Sequence, residues 1–237
     1  HGVGDMDVLI IGAYGSAGVA VATDLVDAPE IDRLTLVDDG DPGGGLCILD
    51  GCMPSKEVLS AGAHRFQARA DHRLADAPDV QLDAVVATKD DHIHNFAEHR
   101  RGAVEMLADR DHVEFVHDTA RFVDDRTVSV GDREFTPDYV VVATGSVVNV
   151  PGIPGLDDVE FMTSADVLDA TALPDSGVVM GFGYVGLELV PYLAEAGGMD
   201  LTVVEHDDRP LDEADPAFGE DLLEIYRDDF DVEILTE

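Results

Sequence analysis

Residues 43–56 read GGGLCILDGCMPSK and hold both cysteines of the chain, Cys47 and Cys52, separated by four residues. On a regular helix that spacing puts the two Cα atoms roughly 8 to 9 Å apart. A disulfide needs less than about 7 Å. A bridge here therefore requires a distorted backbone, which Gly51 permits, and such a bridge is comparatively easy to reduce. Pro54 suits the first turn of a helix, whose N-terminal dipole would favour a thiolate at Cys52. Two other readings compete: a pair of buried thiols, or half of a zinc site. Zinc lacks support, because there is no second cysteine pair and His92, His94 and His99 lie in a separate segment without matching spacing. The pair alone leaves redox chemistry and inert thiols equally open.

Upstream, residues 7–11 (DVLII) form a continuous apolar run of the kind a buried parallel strand shows. Gly12, Gly15 and Gly18 follow, then Val19, Ala20, Ala22 and Leu25 at helical spacing. Residues 33–37 give the next strand, which ends at Asp38, 20 residues past Gly18. A dinucleotide fold places there the acid that bonds a ribose hydroxyl, and its glycine turn brings backbone amides to a pyrophosphate at the helix N-terminus. Gly12, Ala13, Gly15, Ser16, Ala17, Gly18 and Asp38 are thus candidate cofactor-binding residues. The turn departs from the G-x-G-x-x-G fingerprint: it reads GAYGSAG, with one residue inserted beside Tyr14. Either the turn bulges to accommodate it, or phosphate contact is weakened.

Downstream, residues 58–74 and 90–107 read as helices around a loop at 76–83. His92, His94, His99 and Arg100 read as solvated surface on the second helix, and no metal is expected. Residues 113–137 read as a β-meander. Residues 139–143 (YVVVA) form another buried-strand run closing on Thr144, Gly145 and Ser146. The proline-bearing stretch 150–156 (VPGIPGL) makes the best domain boundary. Beyond it, Gly181, Gly183 and Gly186 form an intact fingerprint, and the partner strand ends at Glu205. An acid there with no arginine immediately after it favours NAD over NADP, with His206 as a complication. Residues 216–226 read as a helix and 232–235 as a strand.

Taken together, GGGLCILDGCMPSK, the ATGS at 143–146 and the second glycine turn resemble the pyridine nucleotide-disulfide oxidoreductases, the family of dihydrolipoyl dehydrogenase, glutathione reductase and mercuric reductase. The resemblance implies an α/β fold with two Rossmann-like domains. These are a FAD-binding domain with the redox-active disulfide and an inserted β-meander (1–150), and a partial NAD-binding domain (151–237). The C-terminal dimerisation domain would be absent. It implies that Cys47 exchanges electrons with substrate, that Cys52 contacts the flavin, and that Lys56 pairs with Glu188 beside the flavin. It further implies that Gly44, Gly45, Ala120, Thr144 and Gly145 line the FAD site, and that Gly181, Gly183, Tyr184, Val185, Gly186, Glu188 and Glu205 line the nicotinamide-nucleotide site. The implied substrate is a small dithiol or disulfide, or a lipoyl domain, and the full-length protein is expected to be a homodimer. The resemblance leaves room for a small-disulfide reductase of the bis-γ-glutamylcystine type, for mercuric reductase, and for a nucleotide-binding fragment without turnover. This chain by itself is expected to be inactive.

The chain has 237 residues, 45% of them hydrophobic, enough for a real core. Its net charge of −37, with Lys56 and Lys89 as the only lysines, opposes binding to nucleic acid or an anionic membrane. No basic leader is seen, residues 1–5 read as a cloning or gene-calling remnant, and the first apolar run, 8–22, is glycine-interrupted and short for a span. A cytoplasmic protein is expected, where two cysteines are more often catalytic than structural. An acidic surface on a foldable core is the pattern of proteins from molar salt, where the screening length falls to about 3 Å. Transfer to salt-free buffer is expected to unfold the chain, followed by circular dichroism; a fully retained signal would contradict the halophile reading.

Overall fold

The computed structural model describes residues 4–237; His1, Gly2 and Val3 of the expected remnant lie outside the described residues. The DVLII run lies in β1 (Met6–Ile11), and Val8, Leu9 and Ile10 are all buried, so both faces of the strand are covered. The glycine turn leads into α1 (Ser16–Leu25) and then β2 (Ile31–Asp38), parallel to β1 with Val8 beside Leu34 and Ile10 beside Leu36. A short helix α2 (Leu46–Leu49) precedes α3 (Cys52–Ala70) and the long α4 (Leu82–Ala108). The chain continues through β3 (Val113–His117), β4 (Ala120–Phe122), β5 (Val128–Val130), β6 (Arg133–Phe135) and β7 (Tyr139–Val142).

Successive strand residues point to opposite faces, and the packing follows. Val8, Ile10, Leu34 and Leu36 pack with Ala22 and Val104 on one side of the sheet. Leu9 and Val37 pack with Val128 and Val130 on the other. The parallel sheet has the order β3-β2-β1-β7, while β4, β5 and β6 form a separate antiparallel sheet. The meander is therefore shorter than the sequence suggests. Residues 113–117 read as its first strand, but their parallel pairing with β2 extends the main sheet.

After a 3-10 turn (Leu156–Asp158), α5 (Ser164–Asp169) leads to β8 (Ser176–Met180), α6 (Tyr184–Glu195), β9 (Asp200–Val204), α7 (Pro216–Phe230) and β10 (Glu233–Leu235). The strands form a parallel sheet of order β10-β9-β8. Pro191 lies inside α6 and cannot donate to the carbonyl of Leu187 four residues back. The Tyr226 hydroxyl donates to that carbonyl instead, so no buried acceptor is left open.

Contacts divide the chain into two compact units, one holding residues up to Met53 with Asp91–Pro154, the other Pro54–Asp90 with Gly155–Glu237. This differs from a single cut at 150/151, and the reason lies in α3 and the start of α4. Val58 belongs to the core of Phe182, Val190 and Leu201, and Leu82 and Val85 pack against it, which is why α4 begins at Leu82 rather than near Asp90. Gly62 lets α3 approach Tyr192 of α6. Arg65 and Arg69 reach Glu195 at 2.6 and 2.8 Å, and the Glu195 side chain is only 5% exposed. Burial works against its charge, but the hydrogen bonds from Arg69 and Arg65 outweigh that and hold the carboxyl below its usual range.

A group with a depressed folded pKa contributes stability above its unfolded pKa, about 4.3 for Glu, and loses it as the pH falls through the folded value. Glu195→Gln is expected to cost about 3 kcal/mol near neutral pH, the low end for breaking a buried pair because both arginines stay partly exposed. The deficit should shrink below about pH 4. Urea unfolding across pH checks this; a deficit independent of pH would contradict it.

Candidate nucleotide and disulfide sites

The first glycine turn sits at the C-terminal ends of β1 and β7. The strand order places the reversal between these two strands, the position where open parallel sheets bind ligands. Gly12 has φ +100°, and a Cβ there would collide with the Ala143 carbonyl as the chain leaves β7, so only glycine fits. Gly18 lies against the Gly12 carbonyl with the same consequence, bringing α1 onto the turn. Gly15 caps α1, and the Gly15 carbonyl accepts from the Val19 amide at 3.0 Å. The amides of Ser16, Ala17 and Gly18 occupy the first turn, where no intrahelical acceptor exists, and Ser16 and Ala17 are exposed. That arrangement fits a pyrophosphate. Asp38 accepts the Tyr14 amide on Oδ2 at 3.0 Å and the Gly40 amide on Oδ1 at 2.8 Å. The inserted stretch turns inward: Ala13 and Tyr14 are both buried, and Gly12 and Gly18 still meet.

Cys47 lies in α2 and Cys52 is the first residue of α3, and they form a disulfide with Cα atoms 5.0 Å apart. The break between the two helices at Asp50 and Gly51 shortens the distance that one continuous helix would impose. Pro54 falls in the first turn of α3, where its missing N–H costs nothing. The approach loop touches the glycine turn: a Cβ on Gly45 would meet the Tyr14 carbonyl at 2.7 Å and Gly15 Cα at 2.8 Å. Gly44 faces Ala97, and Gly145, after Thr144, faces Leu46 of α2. Ala120 pairs with Val130 on β4 and is part-buried.

The second turn repeats the first without the insertion. Gly181 has φ +94°, Gly183 caps α6, and Gly186 lies against the Gly181 carbonyl. Tyr184 and Val185 are exposed in the first turn of α6. Glu205 is 6% exposed; its Oε2 accepts the Phe182 amide at 2.6 Å, and its Oε1 accepts the His206 amide at 2.7 Å and faces His206 Nδ1 at 2.6 Å. Burial raises the Glu205 pKa, but these hydrogen bonds prevail and lower it overall. The His206 ring is held above its ordinary range, first by its hydrogen bond to Glu205 and then by the charge of Asp207. In the same unit Lys56 of α3 pairs with Glu188 of α6, both side chains substantially exposed at 64% and 45%.

A family model for pyridine nucleotide-disulphide oxidoreductases matches residues 6–237. The chain belongs to this family. Among curated relatives, the mercuric reductase of Bacillus cereus is 30% identical over 219 residues, 91% of this chain and 33% of that one. Dihydrolipoyl dehydrogenase 2 of the halophilic Haloarcula marismortui is 32% identical over 240 residues, 95% of this chain and 48% of that one. The chain therefore spans a third to a half of the length of such relatives. The flavoprotein disulfide reductase RclA of Escherichia coli, solved as a Cu(II) complex, has the same fold. It superposes with a TM-score of 0.78 at 24% identity, covering 97% of this chain and 48% of that one. The family is FAD-dependent and binds a nicotinamide nucleotide.

Two residues of this chain escape the sequence reading. Arg100, read as solvated surface, is part-buried and donates through Nη1 to the Tyr14 carbonyl at 2.8 Å. Its neighbour Arg101 donates to the Gly43 carbonyl at 2.8 Å. A carbonyl acceptor leaves no spacing pattern, though two consecutive arginines in so acidic a chain are a compositional signal. Among the described residues, Glu205, His206 and Asp207 bring potential ligand atoms within 4.8 Å of one another, with the His206 ring already engaged by Glu205. No helix among them is long and apolar enough to cross a membrane.

Proposed function

We propose that this chain is the nucleotide- and disulfide-bearing part of a FAD-dependent disulfide oxidoreductase of the dihydrolipoyl dehydrogenase kind. It passes electrons between a dithiol or disulfide substrate and NAD. The observation that carries this reading is the Cys47–Cys52 bridge on a loop whose backbone touches a glycine turn with free first-turn amides. Cys47 is the exchanging sulfur: a thiolate of a small dithiol or of a reduced lipoyl domain attacks it in the Cys47–Cys52 bridge, forming a mixed disulfide and releasing Cys52 as a thiolate. The second substrate thiolate then attacks the substrate sulfur of that mixed disulfide and releases Cys47, leaving the substrate as a disulfide and the cysteine pair with two electrons and two protons. Cys52, at the N-terminus of α3, has its thiolate stabilised by the helix dipole. FAD, when bound, relays the electron pair between the cysteine pair and the nicotinamide. Lys56, one turn further along α3, keeps its cationic head fixed by Glu188.

Glu205 at the end of β9 supports NAD, because an acid there repels a 2′-phosphate. In the full-length protein we place this chain in a cytoplasmic homodimer. Reduction of mercuric ion is the second reading, supported by several relatives named mercuric reductase. Dithiol-dependent NAD reduction without NADPH-dependent Hg(II) reduction favours the first; the reverse favours the second.

Anaerobic reduction of the FAD-loaded chain is expected to produce a long-wavelength absorbance from a Cys52 thiolate beside the flavin. Cys52→Ser is expected to abolish it, and Cys47→Ser to leave a thiolate that shows it without reduction. An unchanged spectrum in Cys52→Ser would overturn the assignment.

A further inference from the structure

The inserted residue of the first glycine turn is held at every point. The Tyr14 amide goes to Asp38, its carbonyl takes Arg100, and its ring is buried against Phe115 with centroids 5.2 Å apart. Gly43 packs on the same ring, with no room for a Cβ. The two consecutive arginines of α4 thus hold two different loops, Arg100 the phosphate turn and Arg101 the cysteine approach. The chain has 51 acidic residues against 14 Lys and Arg, yet among the described residues neither arginine pairs with a carboxylate. Burial depresses the Arg100 pKa. A cation kept in that state is stabilised mainly by the carbonyl it holds.

We infer that Arg100 and Arg101 are positioning residues that, with Tyr14 as spacer, lock the phosphate turn to the cysteine approach loop and so set the flavin's seat relative to the disulfide. This rests on the reading that the first turn takes the FAD pyrophosphate. The insertion is then a joint between two loops rather than damage to a fingerprint. Removing Tyr14 would restore the G-x-G-x-x-G spacing but withdraw the amide from Asp38, the carbonyl from Arg100 and the ring from Gly43.

The test is FAD titration of the full chain in high salt, read by flavin fluorescence, with amide hydrogen exchange of the flavin-free protein beside it. Arg100→Ala and deletion of Tyr14 are each expected to weaken FAD binding about tenfold or more, the scale of one lost charge-assisted hydrogen bond. Arg100→Lys, which still offers a cationic donor, is expected to recover most of that loss. The Tyr14 and Gly15 amides should exchange about tenfold faster in Arg100→Ala, with other protected amides unchanged. If the wild type binds FAD and the deletion binds as well or better, the inference is overturned. If the wild type binds no FAD, the flavin reading falls, and unaltered exchange in Arg100→Ala then overturns the clamp by itself.

Discussion

A carboxylate at the end of a strand, accepting an amide from the glycine turn of the preceding strand, occurs twice in this chain: Asp38 with Tyr14, and Glu205 with Phe182. Each bond fixes the turn on the strand beside it. The first-turn amides of the following helix then stay directed outward with no acceptor of their own. A turn free to move would lose that preorganisation, and an anion would have to order it on binding. The rest follows from the fixed turn: the exit of β7 past Gly12, the close seat of α1 at Gly18, and the cysteine approach against Tyr14 and Gly15.

The acidic composition sharpens what the cations do. Surface pairs such as Arg73 with Asp71 add little to stability, all the more so in high salt. The buried contacts are different. Glu195 is enclosed by two arginines, Lys89 is buried beside Asp90 and Asp169, and Arg100 and Arg101 hold backbone carbonyls. Screening reaches such groups poorly, so they can persist in salt that erases surface electrostatics.

Features written in local pattern were legible in the sequence. The apolar run of β1, both glycine turns, Asp38, Glu205 and the cysteine loop are each set by neighbours along the chain; the run of β7 was legible as a strand but not in its burial, since Tyr139 and Val142 are exposed where a buried run was expected. The Lys56–Glu188 pair spans distant segments and was accessible only through the family resemblance. What was not legible depended on tertiary choice. Residues 113–117 have the alternation of a meander strand, and only the free edge of β2 draws them into the parallel sheet. The face of α3 that packs on α6 carries Val58, Gly62 and Arg65, too mixed a set to announce a core contact. Arg100 reads as surface because its acceptor, a backbone carbonyl, has no sequence signature. The insertion at Tyr14 was visible as an anomaly, but its resolution required the buried ring and the Asp38 contact.

The central claim is that one unit of this chain seats a flavin in electronic contact with the Cys47–Cys52 disulfide. An anaerobic reductive titration of the FAD-loaded chain tests it most directly, by counting electrons per flavin. The account predicts uptake of about four electron equivalents, two for the disulfide and two for the flavin, with the cysteine pair and flavin titrating as communicating centres. Uptake of about two, with the cysteines still bridged after the flavin is fully reduced, would contradict it.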